Sequence, residues 1–588
     1  MLHRFAFGLT ALAFLAAPLQ AQQLAPAPEA ASGVMQKVLV RAKSQMVVAA
    51  HPLAAEAGRE VLRAGGNAID AMVTVQLVLG LVEPQSSGLG GGAFLVHYDA
   101  STKQLETVDG RETAPAGVTP QLFLDASGKP LTFLDAVVGG RSVGTPGTVR
   151  LLEDTHRRFG ALSWRRVVQP AIDLARTGFA VTPRLNSLLA GDETLLSSPT
   201  LKAYFFDADA KPWPVGHILV NEAYAKTLER IRDEGAAGFY TGPVADGIVA
   251  AVASGTDLAG KANPGMLSRA DLAAYRAKVR PPVCLDYRGF EVCGMGPPSS
   301  GALAVGQILG LIEPTDIADL GPKSAKAWRL IGDASRLAFA DRGRYVADAD
   351  FVALPSGLLD DAYLASRATL LDGDRALADD AVVAGEPSWD HAGLAPPRGD
   401  DASLELPSTS HFVIADKEGD VVSMTTTIEN GFGSRLMTGG FILNNELTDF
   451  SFATQEDGRP IANAVAPGKR PRSSMAPTIV MKEGKPVIAV GSPGGSSIIG
   501  FVAGALVAMI DWRMDAQQAV ALPHLLNRFG TFELEKGTPA ADLEPELQAL
   551  GFKTKVGDLN SGLHAIVITP DGLAGGADPR REGVALGD

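Results

Sequence analysis

The chain has 588 residues, of which 46% are hydrophobic and 20% charged, enough apolar material for a sizeable core. A formal net charge of −14 argues against the basic surface that nucleic-acid binding demands. Length alone would suggest several domains, yet no polar stretch between Lys37 and the region of Arg398 separates two cores.

His3 and Arg4 precede an apolar stretch over residues 5–17, followed by Pro18-Leu19-Gln20-Ala21. That order reads as a secretory signal peptide over residues 1–21, cut after Ala21. Its apolar core is short for a bilayer span, so no stable membrane anchor remains after cleavage. The predicted location is periplasmic or secreted. Residues 22–33 are rich in Ala, Pro and Gln and predict disorder.

The first half then reads as mainly helical. Asn67 caps a nearly all-apolar helix over residues 68–82, which must be buried. Glu83-Pro84 ends it. Gly88-Leu89-Gly90-Gly91-Gly92 leads into a strand over residues 93–98. A glycine turn for tight packing fits this run better than a phosphate cradle, because no Lys-Ser/Thr follows and no dinucleotide fingerprint is present. Arg111 follows a strand over residues 106–108; taken alone it reads as a surface ion pair rather than a ligand. Residues 159–181, 222–234, 244–253 and 325–342 predict amphipathic helices that form outer layers over a central pair of sheets.

The two cysteines fall in a hairpin pattern with Arg288-Gly289 as a two-residue loop. Counting outward pairs Tyr287 with Phe290, Asp286 with Glu291, Leu285 with Val292 and Cys284 with Cys293. The last pair is non-hydrogen-bonded, with the closer Cα approach that suits a disulfide. Two buried thiols are the other reading, and the facing Asp286 and Glu291 repel in this register. The nine histidines are scattered, and no His/Cys/Asp cluster has metal-ligand spacing, so neither metal nor cofactor is expected.

A polar linker, Gly399-Asp400-Asp401-Ala402-Ser403, runs into Pro407-Ser408-Thr409-Ser410-His411-Phe412-Val413-Ile414-Ala415-Asp416. Phe412 and Ile414 alternate with Val413 and Ala415, as in a strand. Lys417-Glu418-Gly419-Asp420 reads as a hairpin turn and residues 421–427 as the second strand, with Thr425 and Thr427 on one face. Thr409 has no Ser/His/Asp arrangement around it, and His411 reads as a structural histidine rather than its base. A threonine can use its own α-amine as base, but only as a chain N-terminus. That amine titrates near ~7.7–8.0, close to working pH. This chemistry requires a cut between Ser408 and Thr409. Taken alone, Thr409 is an ordinary strand residue.

The stretches downstream alter that reading. They are Glu429-Asn430-Gly431-Phe432-Gly433-Ser434, Asn444-Asn445-Glu446-Leu447-Thr448-Asp449, Lys469-Arg470-Pro471-Arg472-Ser473-Ser474 and Gly491-Ser492-Pro493-Gly494-Gly495-Ser496. With Gly66-Asn67-Ala68-Ile69-Asp70-Ala71, the glycine run at 88–92 and Asp109-Gly110-Arg111-Glu112-Thr113-Ala114-Pro115, this ordered series resembles the γ-glutamyltransferase family of N-terminal-nucleophile hydrolases across nearly the whole chain.

The resemblance implies an α+β fold of four layers, αββα. It also implies a precursor that cuts itself into a large segment, 22–408, and a small catalytic one, 409–588, sharing one core. Thr409 would be the nucleophile, Thr427 its supporting hydroxyl, and Gly494 and Gly495 the oxyanion hole. Arg111, Ser473 and Ser474 would hold the substrate α-carboxylate, and Glu446 and Asp449 its α-ammonium. The implied reaction transfers a γ-glutamyl group from glutathione or related amides to water, an amino acid or a peptide, without cofactor. Two departures stand out. Glu429 occupies a position where many relatives carry Asn, and it either joins the ammonium pocket or turns outward to solvent. Residues 452–464 are short for a lid and contain no Tyr, which implies a site open to water and favours hydrolysis over transfer.

The residue types fit that chemistry independently. Arginine offers a planar fork for a carboxylate, and serine hydroxyls complete the shell. Gly494-Gly495 lets backbone N–H groups approach a reacting carbonyl. Ser496 predicts the N-cap of an apolar helix beginning near Ile498. Two competing readings share parts of this pattern. A glutaryl-type β-lactam acylase would use Thr409, Arg111 and the glycines without needing the acids. A non-catalytic periplasmic binder of glutamyl peptides would have no use for Thr409 and no reason to be cut.

Overall fold

The computed structural model describes residues 33–390, 397–401, 403 and 408–588. The signal peptide over residues 1–21 and nearly all of the segment at 22–33 lie outside the described residues. Two antiparallel seven-stranded sheets form the centre. One runs in the order Val40–Ala42, Gly572–Ala577, His564–Thr569, Lys485–Gly491, Thr478–Lys482, Phe290–Gly294, Val283–Tyr287. The other runs Val584–Gly587, Met46–Ala49, Ser410–Ala415, Val421–Thr427, Gly92–Asp99, Gln104–Gly110, Lys278–Arg280. Each sheet draws strands from both sides of Thr409.

Side-chain alternation along Ser410–Ala415 builds the layers. Val413 and Ala415 face the other sheet and meet Ile479, Ala489 and Ile566 there. Phe412 and Ile414 face outward, into a core closed by the helix Ala68–Val82. All residues of that helix are buried, and Asn67 and Asp70 form a reciprocal capping box at its start. Gly301–Ile312, Ala325–Tyr345 and Ser497–Ile510 cover the other sheet. The result is the α+β, four-layer αββα sandwich that the sequence implied. No helix among the described residues is long and apolar enough to cross a membrane.

The hairpin Val283–Tyr287/Phe290–Gly294 has the expected register, and Cys284 and Cys293, with Cα atoms 4.1 Å apart, are joined by a disulfide. Three local expectations are corrected. The helix expected over residues 159–181 is shorter, Trp164–Thr177: Phe159 closes a preceding helix, Thr148–Phe159, and Phe179–Ala180 is a short strand. Gly160 follows the preceding helix as C-cap and Ser163 precedes the later one in extended conformation. Ser496 does not cap the helix Ser497–Ile510 through its side chain: its backbone is already helical, and its Oγ accepts from Arg528 Nη1 at 2.7 Å. The linker at 399–401 is not a solvated tether. Gly399 bridges Ile461, and Asp401 is buried against Arg472, 2.9 Å away.

Candidate active site

One small cavity, about 20 Å³, is lined by Ser408, Thr409, Thr427, Glu429, Arg111, Glu446, Asp449, Ser473, Ser474 and Gly495, with Met475 and Ile498. Of the residues singled out for catalysis or binding, Gly494 alone does not line it. Their elements explain the convergence. Ser410 pairs with Thr426, so Thr409 and Thr427 stand side by side where the hairpin opens. Arg111 follows the strand Gln104–Gly110, and the short helical turn Glu446–Asp449 comes from beyond the hairpin. The loop carrying Ser473 is held from the far side: Ser473 N–H donates to Pro298 O at 3.0 Å and Ser300 N–H to Ser473 O at 2.7 Å. Arg342 Nη2 donates to Ser474 Oγ at 2.8 Å.

The chain is continuous through Ser408–Thr409. The Thr409 hydroxyl donates to the Ser408 carbonyl oxygen. Thr427 Oγ1 donates to the same oxygen at 3.2 Å and accepts from Glu429 N–H at 2.8 Å. Arg581 Nη1 donates to the Thr409 carbonyl at 3.2 Å. Thr409 is 3% exposed in this uncut chain. Ser408 itself lies over the hydroxyl. Residues 452–464 are also pinned to the body: Phe452 stacks on Phe123, with ring centroids 4.6 Å apart, and Ser451 bridges Ala464.

Gly494 and Gly495 have φ of +133° and +55°, a region that L side chains rarely adopt. They precede the first turn of Ser497–Ile510, where Ser497 N–H and Ile498 N–H donate to their carbonyls at 3.1 Å. A helix N-terminus and left-handed glycines together aim partial positive charge at this end of the cavity.

The charged groups differ from the simple division into carboxylate and ammonium holders. Arg111 donates directly to Glu446, and through Nη2 to Asp449 at 2.5 Å, while Pro471 O and Arg472 O also accept from it. The pairing follows from burial: one guanidinium among carboxylates away from water binds them. Burial alone would lower the Arg111 pKa, but Glu446, Asp449 and Glu112 outweigh it and hold it above its ordinary value. Glu446 is driven well above the usual carboxylate range by burial, with Arg111 opposing. Glu429 does not turn to solvent. It is 4% exposed at φ +74°, and one oxygen accepts from Asn445 Nδ2. Burial, then Asp449 and Glu446, push its pKa well up.

His411 is not at the nucleophile. It sits between the sheets, with Nδ1 2.9 Å from Thr425 Oγ1 and its ring facing His564, and burial keeps it neutral. Sequence reasoning passed over Asp401, Asn463 and Arg472, which brace the site from behind. Asn463 Nδ2 donates to Asp449 O at 2.7 Å, and Arg472 N–H donates to Asn463 Oδ1 at 3.0 Å. The signal available was an acid in an otherwise plain linker and an Arg beside the two serines.

The geometry can be set against known proteins. The gamma-glutamyltranspeptidase family profile matches residues 54–588. The glutathione hydrolase proenzyme of Bacillus subtilis (strain 168) is 36% identical over 559 residues, covering 93% of this chain and 92% of that protein. The acylase ACY 1 proenzyme of Pseudomonas sp. (strain SE83) is also 36% identical, covering 95% and 96%. The crystal structure of cephalosporin acylase from Bacillus halodurans superposes with a TM-score of 0.80 at 26% identity, covering 96% of this chain and 99% of that one. With a family match over most of its length and relatives at this identity across nearly all of it, the chain belongs to the gamma-glutamyltranspeptidase family.

Proposed function

We propose that the chain is a self-processing enzyme that transfers γ-glutamyl groups from glutathione or related amides to water, amino acids or peptides. The observation that carries this reading is the company Thr409 keeps. Arg111, Glu446 and Asp449 line its cavity, and those carboxylates suit a substrate bearing an ammonium as well as a carboxylate.

Processing comes first. Thr409 Oγ1 adds to the Ser408 carbonyl carbon, its proton passes to the Thr409 nitrogen as the amide C–N bond breaks, and an ester remains between Ser408 and Thr409. Thr427 donates to that carbonyl oxygen as charge develops on it. Water opens the ester, leaving a carboxylate on a large segment, 22–408, and a free amine on a small one, 409–588. Residues 1–21 would be removed on export to the periplasm or beyond. The Cys284–Cys293 disulfide supports an oxidising location.

In turnover the Thr409 amine takes the hydroxyl proton as Oγ1 attacks the γ-glutamyl carbonyl. Backbone N–H groups at Gly494 and Gly495 stabilise the oxyanion. The amide C–N bond breaks, the departing amine takes the proton, and a γ-glutamyl ester stays on Thr409 until water or an amine accepts the acyl group. The substrate α-carboxylate goes to Arg111, Ser473 and Ser474. Its ammonium goes to Asp449 and Glu446, with Glu429 alongside, and replaces part of what Arg111 gives those acids.

Similarity to the Pseudomonas and Bacillus halodurans acylases favours one second reading, a glutaryl-type acylase using the same nucleophile. Release of a chromogenic amine from γ-glutamyl and glutaryl anilides separates the two. The γ-glutamyl anilide should be preferred. Preference for the glutaryl anilide refutes the transferase reading.

A further inference from the structure

Behind the cavity stands an acid the mechanism has not used. Glu112 is fully buried and does not line the cavity, and among the described residues nothing but its own N–H and Glu446 reaches its carboxylate with a hydrogen bond. It is packed closely: a Cβ on Gly92 would lie 2.4 Å from Glu112 Oε2, and one on Gly144 3.0 Å from Glu112 Cβ. Its neighbour there is Glu446, whose side chain is within hydrogen-bonding reach. Glu446 Oε1 accepts from Arg111, but among the described residues Oε2 has no donor. Two buried carboxylates in contact and short of donors are poorly satisfied unless a proton lies between them. With one, a charge-assisted O–H···O bond forms and a buried like-charge contact disappears.

We propose that Glu112 and Glu446 share one proton, and that Glu112 acts as a positioning residue that sets the charge Glu446 presents to a substrate ammonium. The ammonium half of this inference rests on the γ-glutamyl reading; the shared proton does not. The groups facing the pair are Arg111 and Asp449, with Glu429 beyond Asp449 and Tyr275 holding the Arg111 carbonyl at 2.7 Å. Arg111 supplies the one cation among them. Burial pushes the Glu112 carboxyl up to about 7, against the pull of Arg111. Glu446, held well above the usual carboxylate range, keeps the shared proton, so the pair gains negative charge as Glu112 ionises around neutrality. An ammonium favours that charge, so by linkage KM falls as Glu112 loses its proton. A shift of about one unit in that titration on binding corresponds to about a tenfold change in KM.

Glu112→Gln tests this. The amide can donate to Glu446 Oε2 but cannot ionise, so it removes this titration. Expected is a KM for γ-glutamyl anilide that no longer falls between about pH 6 and 8.5, with kcat moving less than KM. Glu112→Ala, which supplies no donor, should raise KM at every pH. A Glu112→Gln profile parallel to that of the unaltered enzyme overturns the proposal. Difference infrared spectra of the intact protein read the proton without activity. Protonated-carboxyl absorption at pH 6 that is weaker in Glu112→Gln supports the pair, and identical spectra refute it. A chain that shows that absorption but turns over no γ-glutamyl anilide leaves the shared proton standing and sinks both its effect on substrate and the functional reading above.

Discussion

Asp401→Asn removes one partner of a buried ion pair without removing its shape. Asp401 Oδ2 lies 2.9 Å from Arg472 Nη2, and each side chain is 1% exposed. The carboxylate also accepts from Ser403 N–H at 3.0 Å, Ser403 Oγ at 2.5 Å and Asn463 Nδ2 at 3.2 Å. Burial acts to raise its pKa, but Arg472, Ser403 and Asn463 outweigh that and hold it below the usual carboxylate value. An amide would take from the buried Arg472 charge the carboxylate 2.9 Å away, and removing one partner of a buried pair costs about 3–5 kcal/mol. The folded pKa is depressed, so the pair's contribution is complete above the unfolded value of ~3.9 and is lost as pH falls through the folded one. Urea midpoints of Asp401→Asn and its parent, both carrying Thr409→Ala to keep the chains continuous, should therefore differ strongly at pH 7. The gap should narrow only in strong acid. A loss below about 1 kcal/mol at pH 7, the range of exposed pairs, would refute the assignment of this linker as a buried brace.

Thr409→Ala should remain a single chain and be inactive, whereas Thr409→Ser should still cut; two normal fragments in the alanine variant by intact-mass analysis would exclude self-cleavage by this hydroxyl. Gly495→Val places a branched side chain at φ +55° in the cavity wall and should lower turnover by about 10²–10³-fold, the cost of losing one oxyanion donor; normal turnover with normal processing would locate the oxyanion hole elsewhere. Asp449→Asn should cost roughly 2–5 kcal/mol in γ-glutamyl specificity while its relative activity on glutaryl anilide rises, as steady-state comparison of the two anilides will show. An unchanged ratio would mean that Asp449 does not face the ammonium.

What the sequence made legible follows physical periodicity. The hairpin around Lys417–Asp420, the buried helix at 68–82 and the cysteine register were readable because alternation, apolar content and turn residues act over a few positions. Local signals failed where partners are remote. Ser496 has the chemistry of an N-cap, but Arg528 takes its hydroxyl, and no local rule anticipates a donor from a distant strand end. Asp401 sits in a polar run that reads as solvated, and only the fold brings Arg472 to it. The helix expected over 159–181 ran across Gly160 and Ser163, a stop and a start that composition alone blurred. Charge pairing was the least legible feature. Sequence motifs assign Arg111 and the two acids to opposite ends of a ligand, whereas burial binds them to each other.

That pairing also bears on how the precursor is built. Arg111 precedes the Ser408–Thr409 bond in the chain, and Glu446 and Asp449 follow it. The strand Met46–Ala49 lies between Ser410–Ala415 and Val584–Gly587, and Phe290–Gly294 pairs with Thr478–Lys482. Breaking one bond at the start of a hairpin removes none of these ladders and none of the Arg111 contacts. Neither segment alone could form the cavity, since its cation comes from one and its carboxylates from the other. Pocket assembly therefore belongs to folding of the whole chain. What the proposed cut would add is local: it would remove Ser408 from above the Thr409 hydroxyl and leave an amine where an amide had been. A site assembled in this order would not act on substrate before its walls are complete, because on the proposed mechanism the last group it lacks, the base, is made by its own first reaction.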